Sequence, residues 1–486
     1  AKQNYTKAQF NLGVIYTQIE DVPHDIDKAI HYYTLAASSN YSEAQNNLGI
    51  LYYDDKYQHQ DINKALHYFK LAAEQNNEES QFILGNIYYE GIFVDQNIKK
   101  AIELYSLSAN QNNKKAQFHL GILYYEGKYV EKDINKAIHY YLLSANQDYP
   151  EALYNLGSIF YEGEYIKQDI NKALYYFQLA EKQNYPKVQY NLGVIYSEGR
   201  FVPRDFKKAI RYYQLSADQN YCEAQYNLGL IYYEGDEVTR NVNKAIYYFT
   251  LASEQNYAKA QYNLGVIYLN GEFVTQDINK AIHYLSLASN SNYSEAQFYL
   301  GNIYFEGEFV PKDVEKAIDY YKLAADSNFS EALFVLGKIY YEGKEVDQSI
   351  KKSLYFYHLA SNENNAEAQF QLGIIYSEGI HVQRDVNKAI QFYQLASDQN
   401  YAKAQYNLGS LYYEGELIPR DIEKAIHFYK LASDSNYQMA SYNLGVIYYE
   451  GEYIKQDVNK AIYYYSLASN NNVCPEAEYN LGVIFY

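Results

Sequence analysis

Residues that could do chemistry recur in this chain as rows, one copy per repeat, and their types limit what they can do. An asparagine stands two places before a glycine at Asn11, Asn47, Asn155, Asn191, Asn227, Asn263, Asn407, Asn443 and Asn480. Ile83, His119, Tyr299, Val335 and Gln371 replace it elsewhere. A primary amide donates and accepts at once, so such a row could bond the backbone of an extended peptide. The run Asn155, Asn191, Asn227, Asn263 is unbroken and is the candidate protein-binding site; the competing reading is a solvated row drawn from a composition rich in Asn. Lysine forms a second row from Lys28 to Lys460, and glutamate a third that includes Glu126, Glu162 and Glu198. These could grip a charged ligand, or pair with each other at the loop of each repeat with the lysine stem lying on its neighbours. A lysine in every repeat favours the second. Five histidines (His31, His67, His139, His283 and His427) share one phase. Stacked repeats lie about 10 Å apart, whereas metal ligands converge on one ion at about 2 Å each, so no metal site is expected. Four N-x-Ser/Thr sequons at Asn4, Asn40, Asn292 and Asn328 are candidate N-glycosylation sites. The same residues also suit a helix stop followed by a helix start.

An enzyme needs unlike groups converging in a pocket, and these rows offer like groups spread along an axis. The sequence has no glycine-rich phosphate loop, nucleophile elbow or Cys-x-x-Cys pair. Neither catalysis nor a cofactor is expected. The net charge of −18 argues against nucleic acid, whose phosphates need clustered Lys and Arg, and against an anionic membrane surface. Apolar runs are too short for a membrane span. Two cysteines, Cys222 and Cys474, make no disulfide framework, which favours a cytoplasmic, reducing setting over the secretory pathway.

The rows imply the elements that carry them. Leu-Gly recurs with its glycine at Gly13, Gly49, Gly85 and onward at 36-residue steps to Gly445, then after 37 at Gly482. A fixed period of this length marks stacked repeats that bury their apolar faces only against each other. In one repeat, apolar positions at Ala296, Leu300, Ile303 and Tyr304 predict a helix over 295–305 that stops at Gly307. Asp313 then caps a second helix with Val314, Ala317, Ile318, Tyr321 and Ala324 on one face. The cap position holds Asp, Asn or Ser in all thirteen repeats, from Asp25 to Asp457. Asn40, Asn76, Asn112, Asp148 and their successors to Asn472 predict a left-handed stop after each second helix. The expected fold is all-α: an α/α superhelical solenoid of antiparallel helix pairs, about 13 repeats over residues 1–486 as a single array. The chain begins Ala1-Lys2-Gln3-Asn4-Tyr5, in register with Glu181-Lys182-Gln183-Asn184-Tyr185, and stops within a repeat at Tyr486. It reads as a segment of a longer protein.

Ala296, Leu300, Gly301, Tyr304, Gly307, Val310, Asp313, Lys316, Ala317, Tyr321, Ala324 and Ala325 follow in order the pattern of the Sel-1-like repeat family, which this chain resembles over essentially its whole length. That family is related to tetratricopeptide repeats. Departures are Glu308 for the second loop glycine, Tyr320 for the usual tryptophan, and Ile19 and Asp55 for the first loop glycine, which predicts irregular loops there. The resemblance implies a scaffold or adaptor that binds protein or peptide partners on the concave face of the superhelix. Alternatives are a structural component of an assembly or filament, joined through the uncapped apolar ends, and a regulatory domain attached to an enzyme elsewhere. The sequence also leaves open whether 64 tyrosines reflect chemistry or codon bias.

Overall fold

The structure, a computed structural model, describes residues 2–18, 25–57, 59–236, 238–469 and 474–486. Among them every regular element is helical: 27 α-helices and one 3-10 turn at Asp55–Tyr57. The representative repeat has helices Ser294–Glu306 and Val314–Asp326, one residue longer at each end of the first than the apolar spacing predicts. The paired helices follow one another in repeats of about 36 residues.

Local chemistry sets each boundary. Every second helix opens on a side-chain oxygen that accepts from the backbone N–H three residues on, as Asp313 does from Lys316 at 3.0 Å. All thirteen expected caps act this way, from Asp25 to Asp457. The stop residues are left-handed too: φ lies between 53° and 66° from Asn40 to Asn436, with Asp148 among them. Asn472 and Ile19 lie outside the described residues. Asp55, lacking the loop glycine, sits in the 3-10 turn, so the second repeat's loop does depart from the others.

The glycine of Leu-Gly lets the two helices of a repeat close together. A Cβ on Gly301 would stand 2.5 Å from the Tyr321 ring, well inside contact distance. Only hydrogen fits there, so the first helix lies directly on the aromatic of the second.

Contacts group the chain into two compact units, Ala1–Leu228 and Gly229–Tyr486. In the first, a core of Tyr141, Leu153, Leu156, Phe177, Leu192 and Ile195 runs through three successive repeats. In the second, Tyr321, Leu336, Ile339, Tyr357 and Leu372 do the same. Burying each such side chain is worth about 1.5–3 kcal/mol, and it is realised only against the neighbouring repeat.

Buried glutamines add a polar seam. The Gln45 amide donates to the Ala37 carbonyl of the preceding repeat, and its oxygen accepts from Gln75 at 2.6 Å. The same oxygen is satisfied at Gln81, Gln117, Gln189 and Gln369, each by a glutamine thirty residues later. At Gln261, Gln297 and Gln405 it has no protein partner. There the residue thirty places on is Ser291, Ser327 or Ser435, too short to reach.

A candidate protein-binding face

Two sides of the repeat carry the rows, and they differ in what they leave free. On one side, each row lysine lies over an aromatic ring near the end of the first helix of its own repeat. The distance from Nζ to the ring centre is 4.0 Å for Lys316 over Tyr304 and 5.3 Å for Lys28 over Tyr16. All thirteen lysines do this. The ring is stacked in turn on an aromatic of the second helix, as Tyr304 on Tyr320 with planes 6° apart. Tyr320 stands where the resemblance places tryptophan, so part of the tyrosine excess has a packing task. In the third repeat Leu104 holds that place. The expected lysine–glutamate pairing is corrected here. The carboxylate partner is the helix cap three residues earlier, as Asp25 is to Lys28 at 2.9 Å. Lysine and cap share the first turn of one helix, whereas the glutamate ends the other. The hydrogen bond from Lys28 holds the Asp25 carboxyl below the usual carboxylate range.

The other side is built from the first helices. Asn155 and Asn191 lie on consecutive first helices of the first unit, Asn227 on the helix Cys222–Glu234 that crosses the unit boundary, and Asn263 on a first helix of the second; all four are half-buried. The amides at Asn47, Asn155, Asn227, Asn407, Asn443 and Asn480 lie near the hydroxyls of Tyr33, Tyr141, Tyr213, Tyr393, Tyr429 and Tyr465 in the preceding repeat and counter part of the effect of burial on them; four of these hydroxyls hydrogen-bond Thr17, Ser197, Ser377 and Ser410 instead. Burial pushes these phenols up, to about 12 at Tyr429 and Tyr465. Asn191 and Asn263 are in register with Phe177 and Phe249, which offer no hydroxyl. Their amides have no side-chain partner among the described residues.

Clefts open between consecutive first helices at this same row. Tyr125, Tyr141, Tyr154, Asn155, Ser158 and Glu162 line one of about 210 Å³. A second, of about 550 Å³, holds Tyr53, Phe69, Phe82, Ile83 and Glu90. In the second unit Phe305, Glu306, Tyr321, Val335 and Glu342 border one of about 280 Å³. Asn155, Ile83 and Val335 are the same register position, so one cleft design carries different linings. Sequence reasoning missed the glutamates as members of this face. Their constant place beside the aromatic that ends each first helix was the available signal.

Of the sequon residues, Asn40, Asn292 and Asn328 are exposed and left-handed, with φ of 60°, 57° and 57°; they serve as helix stops. Asn292 also lines a separate cleft with Lys316 and Tyr320. Asn4 lies within the helix Lys2–Gln18. Cys222 and Cys474 are free thiols, and burial together with Glu223 raises Cys222 to about 11, far from a reactive thiolate. Among the described residues no cluster of three His, Cys, Asp or Glu could hold a metal. No described helix is long and apolar enough to cross a membrane.

The Sel1 repeat family matches thirteen times in succession, from 6–41 and 42–77 through to 438–473. The chain is a Sel1 repeat protein. Its fold is similar to that of a protective antigen of uropathogenic Escherichia coli with an SLR fold. That likeness has 27% identity and a TM-score of 0.57, covering 86% of this chain and 90% of the other. It is also similar to a Sel1 repeat protein from Oxalobacter formigenes, at 29% identity and a TM-score of 0.52, over 64% of this chain and 90% of that one. No curated protein matches the sequence. The Sel1 matches define a helical repeat architecture whose members are protein-interaction scaffolds.

Proposed function

We propose that this Sel1 repeat protein is a non-enzymatic scaffold that holds a peptide segment of a partner along the clefts between consecutive first helices. The observation that carries the reading is the recurrence of one cleft at a fixed register, with Asn155, Ile83 or Val335 at its centre. A constant frame with changing contents is what sequence-selective binding requires. Family membership supports it, since repeat stacks of this kind present long continuous surfaces. Asn191 and Asn263 supply amides free to bond a peptide backbone.

The test is photo-crosslinking from single positions. A photoreactive residue at Asn191 or Asn263 should capture the same partner, while one at Tyr175 or Tyr247, exposed on the second helices, should not. Equal capture from Tyr247, or none from the cleft positions, overturns the assignment.

A further inference from the structure

We propose that the peptide held in these clefts is basic, with one Lys or Arg side chain entering per repeat and therefore a cation at every third residue of an extended segment. This rests on the scaffold reading and names the partner's chemistry.

The first argument is a rule that the sequence breaks. A helix C-terminus carries partial negative charge and favours cations. Here ten first helices end on glutamate: Glu90, Glu126, Glu162 and Glu198 in the first unit, and Glu234, Glu306, Glu342, Glu378, Glu414 and Glu450 in the second. None of these helices has a basic residue in its last turn. All ten carboxylates are exposed. Among the described residues only Glu342 is ion-paired, with Lys338 at 3.9 Å and Lys344 at 3.0 Å. Arg240 and Arg420 reach the backbone carbonyls of Glu234 and Glu414, not their carboxylates; a placement that works against its own helix and recurs ten times is expected where function overrides stability.

The second argument is what stands beside the glutamates. Glu162 shares its cleft with Tyr125, Tyr141 and Tyr154, and Glu90 with Tyr53, Phe69 and Phe82. An aromatic face next to a carboxylate suits an ammonium or guanidinium group. The row lysines are held over other rings; Lys132 lies over Tyr125 and Tyr165 and Lys115 lines the Glu90 cleft, but neither is ion-paired with Glu162 or Glu90 among the described residues, so both carboxylates stay open to a further cation. Burial and neighbouring Glu164 push the Glu162 carboxyl up, so an incoming cation would relieve it.

Spacing fixes the partner's pattern. Stacked helices repeat at about 10 Å, and an extended or polyproline II chain advances about 3.1–3.3 Å per residue. Successive clefts therefore meet every third side chain. The unpaired stretch Glu126, Glu162, Glu198 of the first unit is the strong segment. In the second unit Lys338 and Lys344 already occupy Glu342, which weakens the cleft at Val335.

The experiment is fluorescence anisotropy of labelled peptides with the full chain. A peptide of about twelve residues with lysine at every third position should bind, and more weakly as salt rises. The triple variant Glu126→Gln/Glu162→Gln/Glu198→Gln should lose at least about tenfold in affinity. Its thermal midpoint should be no lower than the parent's, a combination that a structural role would not produce. Glu306→Gln/Glu342→Gln should change affinity less. Equal binding of a glutamate-for-lysine peptide, or an unaffected triple variant, overturns the basic-partner inference. If the basic peptide fails while partner crosslinks from Asn191 persist, the scaffold reading stands and only the charge assignment falls. Loss of both overturns both.

Discussion

The lysine side and the cleft side of the repeat are built from the same two helices, yet one is uniform and the other is not. On the lysine side all thirteen repeats place an ammonium over a ring, and only Leu104 breaks the ring stack beneath. On the cleft side one register position holds Asn, Ile, His, Tyr, Val or Gln. Where every copy is alike, the residue answers to its own repeat. Where copies differ under an unchanged backbone, the fold has stopped dictating and something outside it can select. The asparagines straddle this division. Six of them lie near tyrosine hydroxyls of the preceding repeat, whereas Asn191 and Asn263 stand in register with Phe177 and Phe249, which have none.

The sharpest way to break the uniform frame is alkali. Buried phenols such as Tyr429 and Tyr465 ionise near 12 in the folded chain and at 10.0 when free. A raised folded value means that their stabilisation is complete below pH 10 and is lost as pH climbs through 12. Helicity followed by circular dichroism should hold to about pH 10 and then collapse together with a jump in tyrosinate absorbance. Gradual, independent tyrosine titration with helicity intact would contradict the buried ladder.

Next in size is the helix contact. Gly301→Leu forces a side chain into the 2.5 Å gap at Tyr321 and should cost about 3 kcal/mol, read from urea denaturation. Tyr321→Ala in the same chain should recover part of the loss, showing that the two effects are not additive.

The asparagine row then separates into two classes. Asn227→Ala removes the amide beside the Tyr213 and Tyr190 hydroxyls and should cost about 1 kcal/mol. Asn191→Ala and Asn263→Ala should stay within about 0.5 kcal/mol of the parent while weakening partner binding. Equal stability losses at all three would erase the distinction between the two classes.

Smaller still is the polar seam. Ser327→Gln should give the Gln297 oxygen its missing donor and add about 1 kcal/mol at most; no gain would mean that the seam contributes nothing to stability. Lys316→Ala, which removes the cation 4.0 Å from the Tyr304 ring, should cost about 0.5 kcal/mol. Partner affinity should not change, because the cleft that Lys316 lines with Asn292 and Tyr320 is separate from those of the asparagine row.

Most of the frame was legible in the sequence because backbone conformation demands particular residues at single positions. A left-handed stop admits Asn40 but not a branched side chain, and a helix start asks for the short oxygen of Asp313. Partner choice was harder to read. Lysine is long enough to reach several carboxylates, so nothing in the spacing told Lys28 to prefer Asp25 over the glutamate row. The approach of Asn155 to the Tyr141 hydroxyl joins separate repeats and depends on one ring carrying that hydroxyl. The clefts need three helices in place before they exist, and no single segment announces them.

The thirty-six-residue period has a mechanical corollary. Within each unit a repeat leans on its neighbours alone, so tension applied at the termini meets a series of equal links and not one shared clasp. Each released link frees about 120 Å of extended chain. A protein held between an anchor and a moving cargo would pay out slack in even increments, acting as a ratcheted tether whose step is written into the spacing of Leu-Gly.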